Sequence, residues 1–152
     1  MAAIFSTILC PIDFERDSLD ALELARAMAK QNSATVYLLT VIAIPPAGAT
    51  ALPPVPVFPN LEFEAETRRR LEELAKKKLA GVPHKVFVAS GSAAREILNL
   101  TTERGIDLIV MGTHGHRGLT RLVLGSVAER VVRESPVPVL SVHVTAPIRK
   151  AG

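Results

Sequence analysis

The sequence predicts an α/β fold, a single domain over residues 1–152 built on a five-stranded parallel sheet with helices on both faces. Three observations carry that expectation. Short apolar, β-branched runs alternate along the chain with longer segments patterned at helical spacing, the signature of strand–helix–strand crossovers. The second of these runs, Thr35 to Ala43, has the continuous β-branched character of a strand covered on both faces. The length of 152 residues, 48% hydrophobic and 22% charged, suits one globular unit with a sizeable core.

The first strand is Thr7 to Ile12, closed by Asp13. Asp17 or Ser18 is the expected cap of the first helix, whose apolar side carries Leu22, Ala25, Met28 and Ala29; Asn32 is its expected stop. The second strand follows. Between Ile44 and Asn60 stand Pro45, Pro46, Pro53, Pro54, Pro56 and Pro59, six of the eleven prolines, so residues 44–60 are expected to be a long loop within the domain. Leu61 to Leu79 is a charged helix with Glu64–Arg68, Glu66–Arg70, Glu72–Lys76 and Glu73–Lys77 at i,i+4. Those acids make the Arg68-Arg69-Arg70 and Lys76-Lys77-Lys78 runs a solvated face rather than a basic patch. Lys85 to Ala89 is the third strand, and Ser92 opens a third helix ending near Gly105. Ile106 to Met111 is the fourth strand. The last helix starts at Ser126, where Glu129 three residues on suggests a capping box, and Val137 to Val144 is the fifth strand.

Composition removes several classes of function. The net charge of +3 is mild and its bases are interleaved with acids, so no nucleic-acid footprint is expected. Aromatics are 4% and Trp is absent, which leaves no stacking platform for single strands. The one cysteine, Cys10, lies in an apolar strand and reads as a small buried hydrophobe; no disulfide framework can form, which fits a reducing compartment. No apolar run reaches membrane-spanning length and the N-terminus has no leader pattern. The expectation is a cytoplasmic protein with neither nucleic acid nor membrane as partner.

The chemistry concentrates in Gly112-Thr113-His114-Gly115-His116-Arg117-Gly118, followed by Gly125-Ser126. A strand, a glycine-punctuated loop and a new helix form a setting for phosphate: glycines allow close approach, and free N–H groups with the helix dipole favour negative charge. The spacing is G-x2-G-x9-G-S, which is neither a Walker A motif nor a dinucleotide G-x-G-x-x-G. The same residues have a purely structural account as turn glycines and a helix cap, and the two roles can coexist. In parallel folds ligands bind beyond the carboxyl ends of strands, where Asp13, Val41 to Ala43 and the Gly112 loop converge. His114 and His116 stand two apart on that loop. No Cys, third His or adjacent carboxylate completes a zinc-like set there, so His114 reads as loop-ordering or phosphate-proximal rather than as a metal ligand. Surface or interface roles suffice for His84 and His143. There is no nucleophile elbow and no lysine in the loop; Arg117 or Arg121 could supply positive charge, but no residue is marked as a base.

Cys10-Pro11-Ile12-Asp13, Met111-Gly112-Thr113-His114-Gly115, Gly125-Ser126-Val127-Ala128 and Pro136-Val137-Pro138-Val139-Leu140 together resemble the universal stress proteins over nearly the whole chain. The resemblance implies an adenine nucleotide α-hydrolase-like, Rossmann-like fold with strand order 3-2-1-4-5. It also implies the ATP-binding branch of the family, with Mg or Mn accompanying the nucleotide. In that case Asp13 would contact the ribose or a metal-linked phosphate, and Val41 would line the adenine pocket with Pro11 and Ile12. Gly112, Gly115, Gly125 and Ser126 would hold the triphosphate, with Met111, His114 and Val127 alongside. The chain departs from the family pattern at His116-Arg117 and in its proline-rich connection. The expected function is an ATP-binding regulatory, stress-response protein with at most slow hydrolysis. The alternative is an enzyme of the same fold group, an ATP pyrophosphatase or a nucleotidyl-transfer relative. Val137, Val139, Val142 and Val144 form an apolar strand at a sheet edge, so a homodimer through the fifth strand is expected, as the resemblance also implies.

Overall fold

Successive side chains of a strand point to opposite faces of the sheet, and in this chain both faces are apolar. In the computed structural model, which describes residues 3–44, 60–113 and 124–143, the elements are β1 (Thr7–Pro11), α1 (Arg16–Asn32), β2 (Thr35–Ala43), α2 (Leu61–Lys78), β3 (His84–Gly91), α3 (Ala93–Glu103), β4 (Leu108–Gly112), α4 (Ser126–Glu134) and β5 (Val139–Val142). All neighbouring strands are parallel, in the order β3-β2-β1-β4-β5. Ile8 and Cys10 of β1, Val36 and Leu38 of β2, and Leu108 and Val110 of β4 face α1 and α2. Leu9, Tyr37, Leu39, Ile109 and Met111 face α3 and α4. Helices therefore cover both faces, and β1 lies at the centre with Ile8, Leu9 and Cys10 fully buried.

Helices α2, α3 and α4 start where the sequence reading places them, at Leu61, after Ser92 and at Ser126, but the start of α1 and the cap of α4 differ from it. The N-cap of α1 is Glu15, whose side chain makes no capping bond. Asp17 and Ser18 fall inside the first turn, where the Ser18 hydroxyl turns back to the Asp13 carboxylate instead of capping the helix. For α4 the N-cap is Gly125, which has no side chain to give, so the expected Ser126–Glu129 capping box does not form. Asn60, placed in the loop by its sequence surroundings, is the working cap of α2: its side chain accepts from the Phe63 N–H. Asn32 does end α1, with Ser33 in the left-handed region at φ 53° and the Ala34 N–H returning to the Ala29 carbonyl at 2.9 Å.

On the solvent face of α2 the ion pairs run through Arg69, which bonds Glu66 and Glu73, rather than through the four pairs expected at i,i+4. The fifth strand is shorter than expected. Val142 is buried against the α1/α2 core and Val137 and Val139 pack on the α3/α4 core, while Val144 and the proline-rich residues 45–59 lie outside the described residues.

Candidate functional site

The site begins where β1 stops. The Ile12 N–H donates to the Leu39 carbonyl at 2.8 Å, the last β1–β2 bond, and the chain then leaves the sheet at Asp13. The Ile12 carbonyl is taken by the Thr40 hydroxyl at 2.9 Å, a buried bond that substitutes for the next rung. Main-chain groups of a strand alternate between its two neighbours. Val36 and Ile44 donate to the β3 side, at Pro83 and Gly91, whereas Leu39 bonds β1. Val41 therefore directs its N–H and C=O past the end of β1, into space that no strand of the described residues fills.

Asp13 is held by its own loop. Its Oδ1 accepts from the Ser18 hydroxyl at 2.7 Å and from the Glu15 N–H at 2.9 Å, and its own N–H donates to Ser18 Oγ at 3.3 Å. Both carboxylate bonds fall on Oδ1. Phe14 follows in the left-handed region at φ 65°, a strained setting for a bulky residue. The Arg70 guanidinium of α2 covers its ring at 4.3 Å from the centroid.

The opposite wall is the end of β4. Thr113 is held three ways: its N–H donates to the Val142 carbonyl at 3.2 Å, its carbonyl accepts from the Gly125 N–H at 2.7 Å, and its hydroxyl donates to Asp17 Oδ2 at 3.2 Å. The first intrahelical bond of α4 runs from Glu129 N–H to the Gly125 carbonyl. The N–H groups of Ser126, Val127 and Ala128 consequently have no partner within the helix, and among the described residues no side chain caps them. They carry the positive end of the helix dipole.

These walls enclose a cleft of about 190 Å³. Pro11, Ile12 and Asp13, Leu39 and Val41, Met111 to Thr113, and Gly125 to Ala128 line it, with Ala93 and Ile97 from the start of α3. Pro11, Leu39, Val41 and Met111 occupy alternate positions on the α3/α4 side of the sheet, so strand register alone brings them together.

Residues 5–143 match the universal stress protein family. The chain belongs to this family. Universal stress protein YxiE of Bacillus subtilis is 35% identical over 148 residues, covering 92% of this chain and 100% of its own length. Among solved structures, universal stress protein UspA from Lactobacillus plantarum has the same fold, with a TM-score of 0.76 and 22% identity over 91% of this chain and 98% of that one. A universal stress protein solved in complex with cAMP also has this fold, with a TM-score of 0.68 and 23% identity over 91% of this chain and 97% of its own.

Of the residues singled out from sequence, Pro11, Ile12, Asp13, Val41, Met111, Gly112, Gly125, Ser126 and Val127 all line this one cleft. His114 and Gly115, with His116, Arg117, Gly118 and Arg121, lie outside the described residues. Gly112 has a second reason to be glycine. A Cβ there would stand 2.8 Å from the carbonyl carbon and the Cβ of Asp17 and 2.9 Å from the Ser18 nitrogen. It lets the first turn of α1 rest directly on the end of β4. Gly125 has φ −61° and ψ 158°, ordinary extended backbone, so no left-handed conformation requires glycine there.

Sequence reasoning missed Ser18, Thr113 and the α3 wall of Ala93 and Ile97. The α3 wall was signalled only by a helix beginning directly after a strand's carboxyl end. His84 Nδ1 bonds the Val82 carbonyl at 2.8 Å, and His143, expected at a surface or interface, stands half-buried with Nδ1 3.4 Å from Asp17 Oδ2. Among the described residues no three His, Cys, Asp or Glu side chains converge on a point where a metal could sit.

Proposed function

We propose that the cleft binds an adenine nucleotide, in the first instance ATP with Mg or Mn, and that the protein is a nucleotide-responsive regulator rather than an efficient enzyme. One observation carries this reading: an apolar cleft with main-chain hydrogen-bonding groups at both ends that have no partner among the described residues. At the β2 end, the Val41 N–H and C=O offer one donor and one acceptor, the complement of the N1 and 6-amino edge of adenine, between Pro11, Ile12 and Ile97. At the other end, the N–H groups of Ser126 and Val127 and the α4 dipole meet a phosphate. Asp13 stands between them with Oδ2 left for a ribose hydroxyl or a metal carried by the phosphates. Gly125 contributes by keeping the helix start free of a side chain, and its own N–H serves Thr113. His114 and Gly115 complete the phosphate side by the family pattern.

The lining of the cleft contains one carboxylate, Asp13, and no Lys, Arg or His among the described residues. That set can position a triphosphate but supplies neither a base with a separate acid nor a cationic clamp, the groups that phosphoryl transfer relies on. Hydrolysis by the purified protein with Mg or Mn is expected to stay well below the roughly 1–10 s⁻¹ of ordinary enzymes. Turnover in that range would favour the enzyme of the same fold group instead.

The binding reading is tested by calorimetric titration of ATP into wild type and Asp13→Ala. Loss of a hydrogen bond to a charged group, ~1.5–3 kcal/mol, predicts roughly 10- to 100-fold weaker binding for the variant. Absence of ATP binding by wild type, or equal affinities, overturns it. The same reading makes the chain one domain acting in the cytoplasm, without nucleic-acid or membrane partners, as a homodimer. The edge of β5, unpaired among the described residues, supports the dimer, with Leu140 on that strand and Val132 on α4 exposed.

A further inference from the structure

We infer that Asp17 is a positioning residue for the nucleotide site: it ties the first turn of α1 to the ends of β4 and β5, and so sets where the N-terminus of α4 stands in the cleft. The inference rests on the adenine-nucleotide reading above. Asp17 does not line the cleft. Its Oδ2 accepts from the Thr113 hydroxyl at 3.2 Å and lies 3.4 Å from His143 Nδ1. The contact is sheltered, with the Asp17 side chain 13% and the His143 side chain 22% exposed. A carboxylate holding a hydroxyl and an imidazole at such a site is stronger than a surface pair.

From Thr113 the connection runs to the ligand. The Thr113 carbonyl accepts the Gly125 N–H at 2.7 Å, and Gly125 is the N-cap of α4. The groups proposed to meet phosphate, the N–H groups of Ser126 and Val127, follow directly. Thr113 is also bonded through its N–H to Val142, the last residue of β5. Asp17 thus lies on a bridge between the edge strand and the phosphate end of the cleft. Gly112 permits the bridge, since a side chain there would hold the first turn of α1 away from β4. The base and ribose end depends on Val41 and on Asp13, whose support comes from Ser18 and Glu15 rather than from Asp17.

The two ends of the cleft can therefore be separated. ATP and adenosine are titrated into wild type, Asp17→Ala, Asp17→Asn, Thr113→Val and Thr113→Ser, with a thermal melt of each protein. The expected result is ~10-fold weaker ATP binding for Asp17→Ala and Thr113→Val, the loss of one hydrogen bond to a charged group. Adenosine affinity of Asp17→Ala stays within about twofold of wild type. Asp17→Asn keeps an acceptor of the same shape, and Thr113→Ser keeps the hydroxyl, so both recover most of the ATP affinity. A drop shared equally by ATP and adenosine overturns the inference while leaving the nucleotide reading intact. So does a lowered melting temperature with ATP affinity unchanged. Wild type that binds neither ligand overturns both. Should Asp17→Ala fail to fold, the Thr113→Val and Thr113→Ser pair decides the question alone.

Discussion

The two ends of the sheet are built to opposite rules. At the amino end, the Asp107 carboxylate accepts the N–H groups of Ser6 and Thr7 at 2.8 and 3.1 Å, and the Thr7 hydroxyl donates to the Gly105 carbonyl at 2.9 Å. The Asp107 N–H returns to the Thr7 carbonyl, and the Thr35 N–H goes to Ser6. The entry into β1 is closed by reciprocal bonds. At the carboxyl end, Phe14 stands at positive φ, the Ser92 and Gly125 caps provide no side-chain bond to α3 and α4, and Val41 faces past the end of β1. Polar main-chain groups that are satisfied at one end have no partner among the described residues at the other. Under the proposed function, stability and binding fall to different ends of the same strands.

The comparison breaks most visibly at Gly112, where the two rules meet. A Cβ there has backbone atoms of α1 within 3.0 Å. Gly112→Ala is expected to destabilise the fold by ~1–3 kcal/mol through a forced shift of α1 against β4. Gly125→Ala, at an ordinary φ, should cost less than ~1 kcal/mol as a poorer helix cap. Urea denaturation of both variants measures the difference, and equal losses would mean that the two motif glycines are not divided between packing and binding.

A smaller effect is expected at the amino end. Hydrogen bonds from Ser6 and then from Thr7 hold the Asp107 carboxyl below the usual carboxylate range, against the opposing pull of desolvation. A carboxylate with a lowered folded-state pKa stabilises the protein above its unfolded value, near 4, and loses that contribution as pH falls through the folded value. Asp107→Asn should therefore lose roughly 1 kcal/mol at neutral pH, and the gap from wild type should narrow below about pH 4. Nucleotide affinity should not change. A gap that widens in acid would reverse the assignment.

The sheet was legible because strand and helix periodicities differ and the apolar runs are long, and the order of strands followed from the family resemblance. The cleft was legible in large part, since Asp13, Val41, Gly112 and Gly125 all follow carboxyl ends or precede a helix. What could not be read was how neighbours distant in sequence share a group. Ser18 has the composition of a cap, but its hydroxyl serves Asp13 five residues earlier. Gly112 looks like a phosphate glycine, yet the atoms that require it to lack a side chain belong to Asp17 and Ser18, about a hundred residues away. Thr113 and His143 meet Asp17 only after three elements have packed. Glu66 and Glu73 each lie within one helical turn of Arg69 as well as of the partners first expected, so local spacing left that choice open.

Cys10 lies in the central strand with no exposed surface, and burial pushes its thiol well above the ordinary range. It is also the only sulfhydryl in the chain. A thiolate forms readily only when β1 separates from its neighbours, so chemical modification at this position must wait for the sheet to open. The molecule therefore carries its own clock. The pace at which an alkylating reagent consumes that one sulfur reports how often the middle of the fold comes apart, with no label added and no residue replaced.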